Sequence, residues 1–583
     1  MKREFIGEPP GTAPLSEMDK ALARPFRTAL LAGAAVATSL SFGLSYGIVN
    51  QNQYLLQALH WLDPEFFSRD WFTLETTQYH AHFSALVWLL GHIGPLGPML
   101  TGLNALLIAL SVVVVHAIAV SVTERDALVV TLLVAALMIA GATTSFAGTY
   151  LFTSYLQPSG MAALFLLVAA ACFVTDHHGW SGIALAAAGF IHLNFLVLGG
   201  MLFGLAHVLL GTDRFVSRAL LQFSLLAIVM AFAMPTMLAV SSPGATDEAR
   251  RIYFTFRVPH HYLPSAYWRD MVEFLGWQLL AFPCVGRFAA SAEAAPRRLV
   301  VLYASGLLVI AACQLATTIV FVPAIALLFS SRLAPGVTLL AQIMVCATCV
   351  ALVLHRRSGT WAVLHPWRGA VAGLGLLTLA LGYRISHSPG SREGAGYLLV
   401  LGALLAAQAG GVAMSRAAEA PRTTMQVAII ALGVLSLVAY VGVPRFKQST
   451  LLFGMPDRAA EQLYRWAATT PKDALFAIPP WLEDFRLHSR RSIIVDWKSV
   501  PGLPVEILEW HRRLADVTGL EQVTSEQVAE QGYHRMDAMR AEQLVARYGA
   551  QYVVLRAKLA SAMPWCHEVF RNREFFVCAL GSP

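Results

Sequence analysis

The chain has 583 residues, 56% hydrophobic and 13% charged, with a formal net charge of +7 and a mean hydropathy of +0.58. So apolar and charge-poor a composition excludes an ordinary soluble enzyme and reads as a polytopic membrane protein. The basic residues are scattered between apolar runs without a basic-aromatic stripe, so nucleic acid is excluded as a partner.

Residues 1–27 carry Lys2, Arg3, Lys20, Arg24 and Arg27 and read as a cytoplasmic tail. No Asp, Glu, Lys or Arg occurs between Arg27 and Asp63, or from Ala127 to Thr175. About 20 such residues cross a hydrocarbon core of about 30 Å. The apolar run after Arg27 is too long for a cleaved signal and is taken as the first retained span. Spans are predicted near 28–50, 97–121, 127–145, 160–176, 219–241, 271–288, 298–318, 335–354, 369–386, 396–415 and 425–443. The stretch 180–211, with Gly189, His192 and Asn194, fits one tilted helix or two short ones. Region 319–333, with Pro323 and Arg332, reads as a broken or re-entrant segment.

Basic loops orient the array. Thr123–Asp126, Arg214 with Arg218, Arg297-Arg298, Arg356-Arg357 and Arg416 with Arg422 belong on the cytoplasmic side. Keeping them together requires two helices in 180–211, and the total is about 11 to 13 spans. Loops 51–80, 144–159, 242–270 and 387–395 then lie on the opposite side, with the whole tail. The predicted fold is an α-helical polytopic membrane domain over 28–443, followed by an extracytoplasmic α/β domain over 444–583.

In that tail, Ala474–Ile478, Ser492–Val495 and Gln551–Leu555 are strand-length apolar runs. Helical candidates Asp457–Thr469, Val505–Val517 and Met536–Tyr548 lie among them, and Cys566–Leu580 reads as a hairpin. The alternation implies a partly parallel sheet. Cys566 and Cys578 flank the hairpin and could pair if the tail lies outside the cytoplasm. The other five cysteines read as apolar packing, the Cys346/Cys349 CxxC included.

Loop 51–80 concentrates Asp63, Glu65, Asp70 and Glu75 among aromatic residues. A carboxylate at a membrane surface can deprotonate a hydroxyl, or hold a divalent cation such as Mg or Mn against a pyrophosphate. The alternative is a solvated or interfacial loop. Asp63, Asp70 and Glu65 are the catalytic candidates. Arg257, His260, His261 and Tyr262, with Arg332 in the broken segment, suit an anionic headgroup. The bland alternatives are a Pro-rich turn and an Arg332 paired with a helix carbonyl. No Cys/His pair stands at standard spacing for a metal. Candidates for acceptor binding are Asn52, Tyr54, Trp497 and Arg491; His192 and Asn194 read chiefly as interhelical hydrogen-bond partners.

Asp63-Pro64-Glu65-Phe66-Phe67-Ser68-Arg69 is similar to the Asp-Pro-x-Phe-x-x-Arg of oligosaccharyltransferase catalytic subunits. With Asn50–Tyr54, Asp63–Phe72, Arg257–Tyr262 and Pro471–Ala474, the chain resembles bacterial membrane proteins of the GT-C class. That resemblance implies transfer of a sugar from a polyprenyl-phosphate-linked donor to a glycan, lipid or polysaccharide acceptor. It also implies membrane lipids as partners, and a bacterial inner membrane with the tail in the periplasm or outside. The tail lacks a Trp-Trp-Asp-Tyr-Gly motif, so peptide glycosylation is not implied, and amides stand at Asn50–Gln53 where many relatives carry an acid. A transporter or flippase of lipid-linked glycan, and a non-catalytic scaffold, are the rival readings.

Overall fold

The structure, a computed structural model, describes residues 17–386 and 438–580, with the single positions 433 and 436. Within those limits it leaves out 78–79, 124–126, 142–143, 212–214, 241–246, 355–365, 522, 559–562 and 564. The span expected at 396–415, most of that at 425–443, loop 387–395 and the basic loops at Arg356-Arg357 and Arg416 with Arg422 lie outside the described residues.

Among the described residues, five helices are long and apolar enough to cross a membrane: Leu96–Thr123, Leu193–Leu210, Val216–Pro235, Ala294–Ile319 and Pro323–Ala351. Shorter apolar helices cover Ala81–Ile93, Ala127–Ile139, Pro158–Val174 and Gly373–Gly382. The chain is a multi-pass membrane protein. The 180–211 stretch is two helices, His178–Ile191 and Leu193–Leu210, divided where His192 is extended at φ −146° and ψ 113°.

The 319–333 region is broken as its proline and arginine predict. Helix Ala294–Ile319 stops, Pro323–Leu328 forms a short turn of helix, and a 3₁₀ turn over Ser330–Leu333 leads into Ala334–Leu354. Phe321 and Phe329 take the left-handed conformation, at φ 49° and 52°. Such a break frees backbone carbonyls that a membrane cannot hydrate. Asn194 Nδ2 donates to the Leu327 and Leu328 carbonyls at 2.9 and 2.8 Å, satisfying both. Its interhelical role follows directly.

Counting strands along the chain, Thr144–Ser145 (β1) and Thr149–Tyr150 (β2) form a small hairpin in the membrane domain. The tail contributes Leu475–Ala477 (β3), Ser492–Ile493 (β4), Tyr552–Arg556 (β5), His567–Arg571 (β6) and Phe575–Ala579 (β7). They form one sheet of order β4-β3-β5-β7-β6. β3 pairs parallel with β4 and β5, and β7 pairs antiparallel with β5 and β6. Period-2 alternation divides its faces. Phe476, Ile493, Val554, Phe575 and Val577 meet helix Arg458–Ala467 on one side. Leu475, Ala477, Val553, Leu555 and Phe576 meet Trp510 and helix Pro504–Thr518 on the other. That second core also takes in Trp71, Ala249 and Ile252 from loops of the membrane domain. The tail is therefore packed onto those loops through shared apolar burial.

Candidate active site

Three loops and the tail enclose a cavity of about 980 Å³. Asn50, Gln53 and Tyr54 line it from the amide segment, and Gly148 to Tyr150 from the β1–β2 turn. His192 and Arg332 reach it from the two helix breaks. Arg257, His260, His261 and Tyr262 reach it from the 247–262 loop, and Glu483, Trp497, Lys498 and Glu526 from the tail. The expected anion-binding set is thus brought to one space, although its members are far apart in sequence.

The amide segment bolts the cavity together. Asn50 Nδ2 donates to the Tyr150 hydroxyl at 3.1 Å and Gln157 Oε1 at 2.9 Å, and Gln51 Nε2 donates to the Leu156 carbonyl at 3.0 Å. Asn52 is fully buried and donates to Asp484 of the tail. Nearby, His488 Nε2 donates to the Gly47 carbonyl at 2.7 Å, and a Cβ at Gly47 (φ +76°) would stand 2.7 Å from that ring. Asn52 is thus a wall residue under the tail, and Tyr54 is the acceptor candidate of this segment that faces the cavity.

On the β1–β2 turn, Gly148 has φ +63°, and a Cβ there would sit 3.2 Å from His261 Cε1. Glycine lets the turn close onto the imidazole. His261 Nδ1 donates to the Ala147 carbonyl at 2.8 Å, and its ring lies 4.1 Å from that of His260. Burial, with His260 beside it, pushes the His261 pKa down to about 3. Burial, with Arg257 and Lys498 nearby, also lowers that of His260. Both imidazoles are neutral at pH 7, so the extra positive charge expected of them is absent. They offer hydrogen bonds instead.

Arg257 is buried and largely spent on the tail: Nε donates to the Trp497 carbonyl at 2.7 Å and Nη2 to that of Lys498 at 3.2 Å. Arg332 differs. Its guanidinium lies 4.8 Å from the Phe329 ring centroid, and its Nε is buried with no hydrogen-bond partner among the described residues. Among those residues no carboxylate forms an ion pair with it. Low-dielectric surroundings make an unpaired cation costly, so this position suits an incoming anion.

The loop carboxylates do not line the cavity, and the structure gives them another task. Asp70 Oδ1 accepts from Thr73 N at 2.9 Å and pairs with Arg486 Nη1 at 2.9 Å, while Oδ2 accepts from Ile493 N at 3.2 Å. With its oxygens committed inside the protein, Asp70 is a docking group rather than a base. Asp63 lies 3.5 Å from Lys472 Nζ, and Glu65 contacts the same ammonium. The cation facing that pair is thus a lysine of the tail. Among the described residues, no group of three or more His, Cys, Asp or Glu could hold a metal ion. Arg491 is also structural: it is buried, and its Nη2 donates to the Ala468 and Thr470 carbonyls at 2.6 and 2.5 Å. Trp497 touches the cavity, but its ring is buried against Phe256 and Trp510.

Sequence reasoning passed over Glu483, which stands at the cavity with Lys498. Both follow the carboxyl ends of neighbouring parallel strands, β3 and β4, where open α/β sheets bind ligands. That position was the available signal. Burial pushes the Glu483 pKa up to about 7, against the pull of Lys498 and Arg257, while burial lowers that of Lys498.

The family described as Domain of unknown function (DUF6798) matches residues 458–517, a segment that contains Glu483, Arg486 and Lys498. No curated protein matches the chain. Two solved structures of ArnT from Cupriavidus metallidurans, in the apo state and bound to undecaprenyl phosphate, are similar to it at 15% identity. Each alignment covers 96% of this chain and 98% of the other, with TM-scores of 0.46 and 0.48.

Proposed function

We propose that the chain is a membrane glycosyltransferase that moves a sugar from a polyprenyl-phosphate-linked donor to an acceptor on the tail side of the membrane. The observation that carries this reading is Arg332: an arginine without a carboxylate partner among the described residues, at a helix break, facing a cavity of about 980 Å³. A lipid phosphate enters sideways from the bilayer, so its charge must be met at interface depth. A guanidinium stays charged there and presents a planar fork to phosphate oxygens. Tyr54, His260, His261 and Tyr262 supply neutral hydrogen-bonding and aromatic surface for the sugar. The Cys566–Cys578 disulfide supports a tail outside the cytoplasm, because such bonds persist in oxidising compartments. The bacterial inner membrane, with the tail in the periplasm, fits that arrangement.

Binding of undecaprenyl phosphate to the purified protein in nanodiscs tests the reading. Losing a hydrogen bond to a charged group costs about 1.5 to 3 kcal/mol, so Arg332→Ala should weaken binding about 10- to 150-fold. Wild-type affinity in a folded Arg332→Ala protein would remove the donor site. Mass spectrometry of lipid-linked and surface glycans in a deletion strain should show a missing sugar.

A further inference from the structure

We propose that Glu483, carried into the cavity by the turn after β3, is the general base that takes the proton of the acceptor hydroxyl. The acceptor then lies under the tail, between Glu483 and the donor sugar. This inference rests on the glycosyltransferase reading and replaces the loop carboxylates in its mechanism.

Glu483 is the carboxylate that the fold holds in place without consuming it. The turn before it is fixed by Leu482 N donating to the Pro479 carbonyl at 2.8 Å, and by Trp497 N donating to that of Pro480 at 2.7 Å. The next residue, Asp484, is held by Asn52 from the membrane domain. The Glu483 side chain itself makes no hydrogen bond or ion pair among the described residues. Every nearby alternative is committed or exposed. Asp70 and Asp496 hold Arg486, Glu506 accepts from Thr77, and the other cavity-lining acid, Glu526, is exposed.

Arg332 is within electrostatic reach of Tyr54, His261 and Tyr262, Arg257 of His260, His261 and Glu483, and Lys498 of His260 and Glu483. His261, whose ring adjoins that of His260, is thus the group that both arginines reach. In this proposal a donor phosphate at Arg332 presents its anomeric carbon to the acceptor within the cavity that Glu483 also lines. As the acceptor oxygen bonds to that carbon, its proton passes to the Glu483 carboxylate. The bond from the anomeric carbon to the phosphate oxygen breaks, and its electron pair leaves on the polyprenyl phosphate at Arg332. Glu483 afterwards releases its proton to solvent.

The charged groups around Glu483 are Lys498 and Asp496 from the β4 side, Asp484 beside it, and Arg257 from the membrane-domain loop. Desolvation outweighs the two cations and leaves the carboxyl titrating near neutrality, the range in which a base is effective.

Two measurements test the proposal. The first is labelling by dicyclohexylcarbodiimide, which attacks protonated carboxyls in apolar sites, mapped by mass spectrometry on the full-length protein in nanodiscs. Glu483 should label near pH 6 and lose reactivity as pH rises through about 7, with Asp63 and Glu65 unlabelled throughout. Lys498→Met should move that midpoint upward. The second is complementation of the deletion strain. Glu483→Gln should bind undecaprenyl phosphate within twofold of wild type, yet lower transfer of the restored sugar about 10²- to 10⁴-fold. Asp63→Asn should restore it fully. Full restoration by Glu483→Gln would overturn the base while leaving the donor site standing. A wild-type gene that alters no glycan, in a protein that binds no undecaprenyl phosphate, would overturn both.

Discussion

Asp70 of the membrane-domain loop and Arg486 of the tail are 416 residues apart and form an ion pair of 2.9 Å, their side chains 0% and 1% exposed. Arg486 holds Asp496 at 2.7 Å on its other nitrogen and lies over the Phe72 ring. Such a buried group contributes little net stability over an apolar core but specifies which surfaces meet. Removing one partner strands the others. Asp70→Asn should destabilise the tail against its platform by about 3 to 5 kcal/mol. Thermal unfolding in detergent and proteolysis of the released tail would show it, with a smaller loss when Arg486→Met is already present.

Glu483 predicts a pH-dependent stability with a definite sign. Its carboxyl is raised from an ordinary 4.5 to about 7 in the folded protein. Between those values the unfolded chain releases a proton that the folded chain keeps. The stability carried by the protonated form is complete below pH 4.5 and lost as pH rises to about 7. Glu483→Gln, which stays neutral, should match wild type near pH 4.5 and gain on it up to about pH 7. Melting temperatures of both proteins across that range check this, and parallel curves would place Glu483 in bulk solvent.

Much of the fold was legible because it rests on local periodicity. Strand alternation separates Leu475 and Ala477 from Phe476, and Pro323 marks the broken segment. Charge parity divides 180–211 into the two helices found. The site was less legible because side-chain commitments are made over long sequence distances. Asp70 looks like a base until Arg486 is seen beside it, and Asn52 and Arg491 look free until Asp484 and the Ala468 carbonyl take their donors. Glu483, in Pro-Pro-Trp-Leu-Glu-Asp, resembles an ordinary surface turn. Its environment comes from Lys498, brought beside it by the pairing of β3 with β4, and from Arg257, which adjoins it only once the tail has docked.

The cysteines give a direct count. Cys566 and Cys578 are joined across 12 residues, and the other five are free. Alkylation of the denatured, unreduced protein should modify five thiols, rising to seven after reduction. Closing a short loop contributes about 2 to 4 kcal/mol, so reduction should lower the melting temperature of the tail. Seven reactive thiols without reductant would contradict the pairing and remove its support for an extracytoplasmic tail.

Asn194 connects stability to the donor site. Its amide donates to the two carbonyls freed just before Phe329 turns left-handed, three residues ahead of Arg332. Asn194→Leu would fill similar volume but leave both carbonyls unpaired, at about 1 to 3 kcal/mol each. The break should respond by shifting or fraying, and Arg332 moves with it. The expected result is a lower melting temperature together with weaker undecaprenyl phosphate binding, although residue 194 need not touch the phosphate. Asn194→Gln, which keeps the donor on a longer arm, should recover part of both losses. A variant that loses stability but binds with full affinity would show that Arg332 is positioned independently of the carbonyls that Asn194 holds.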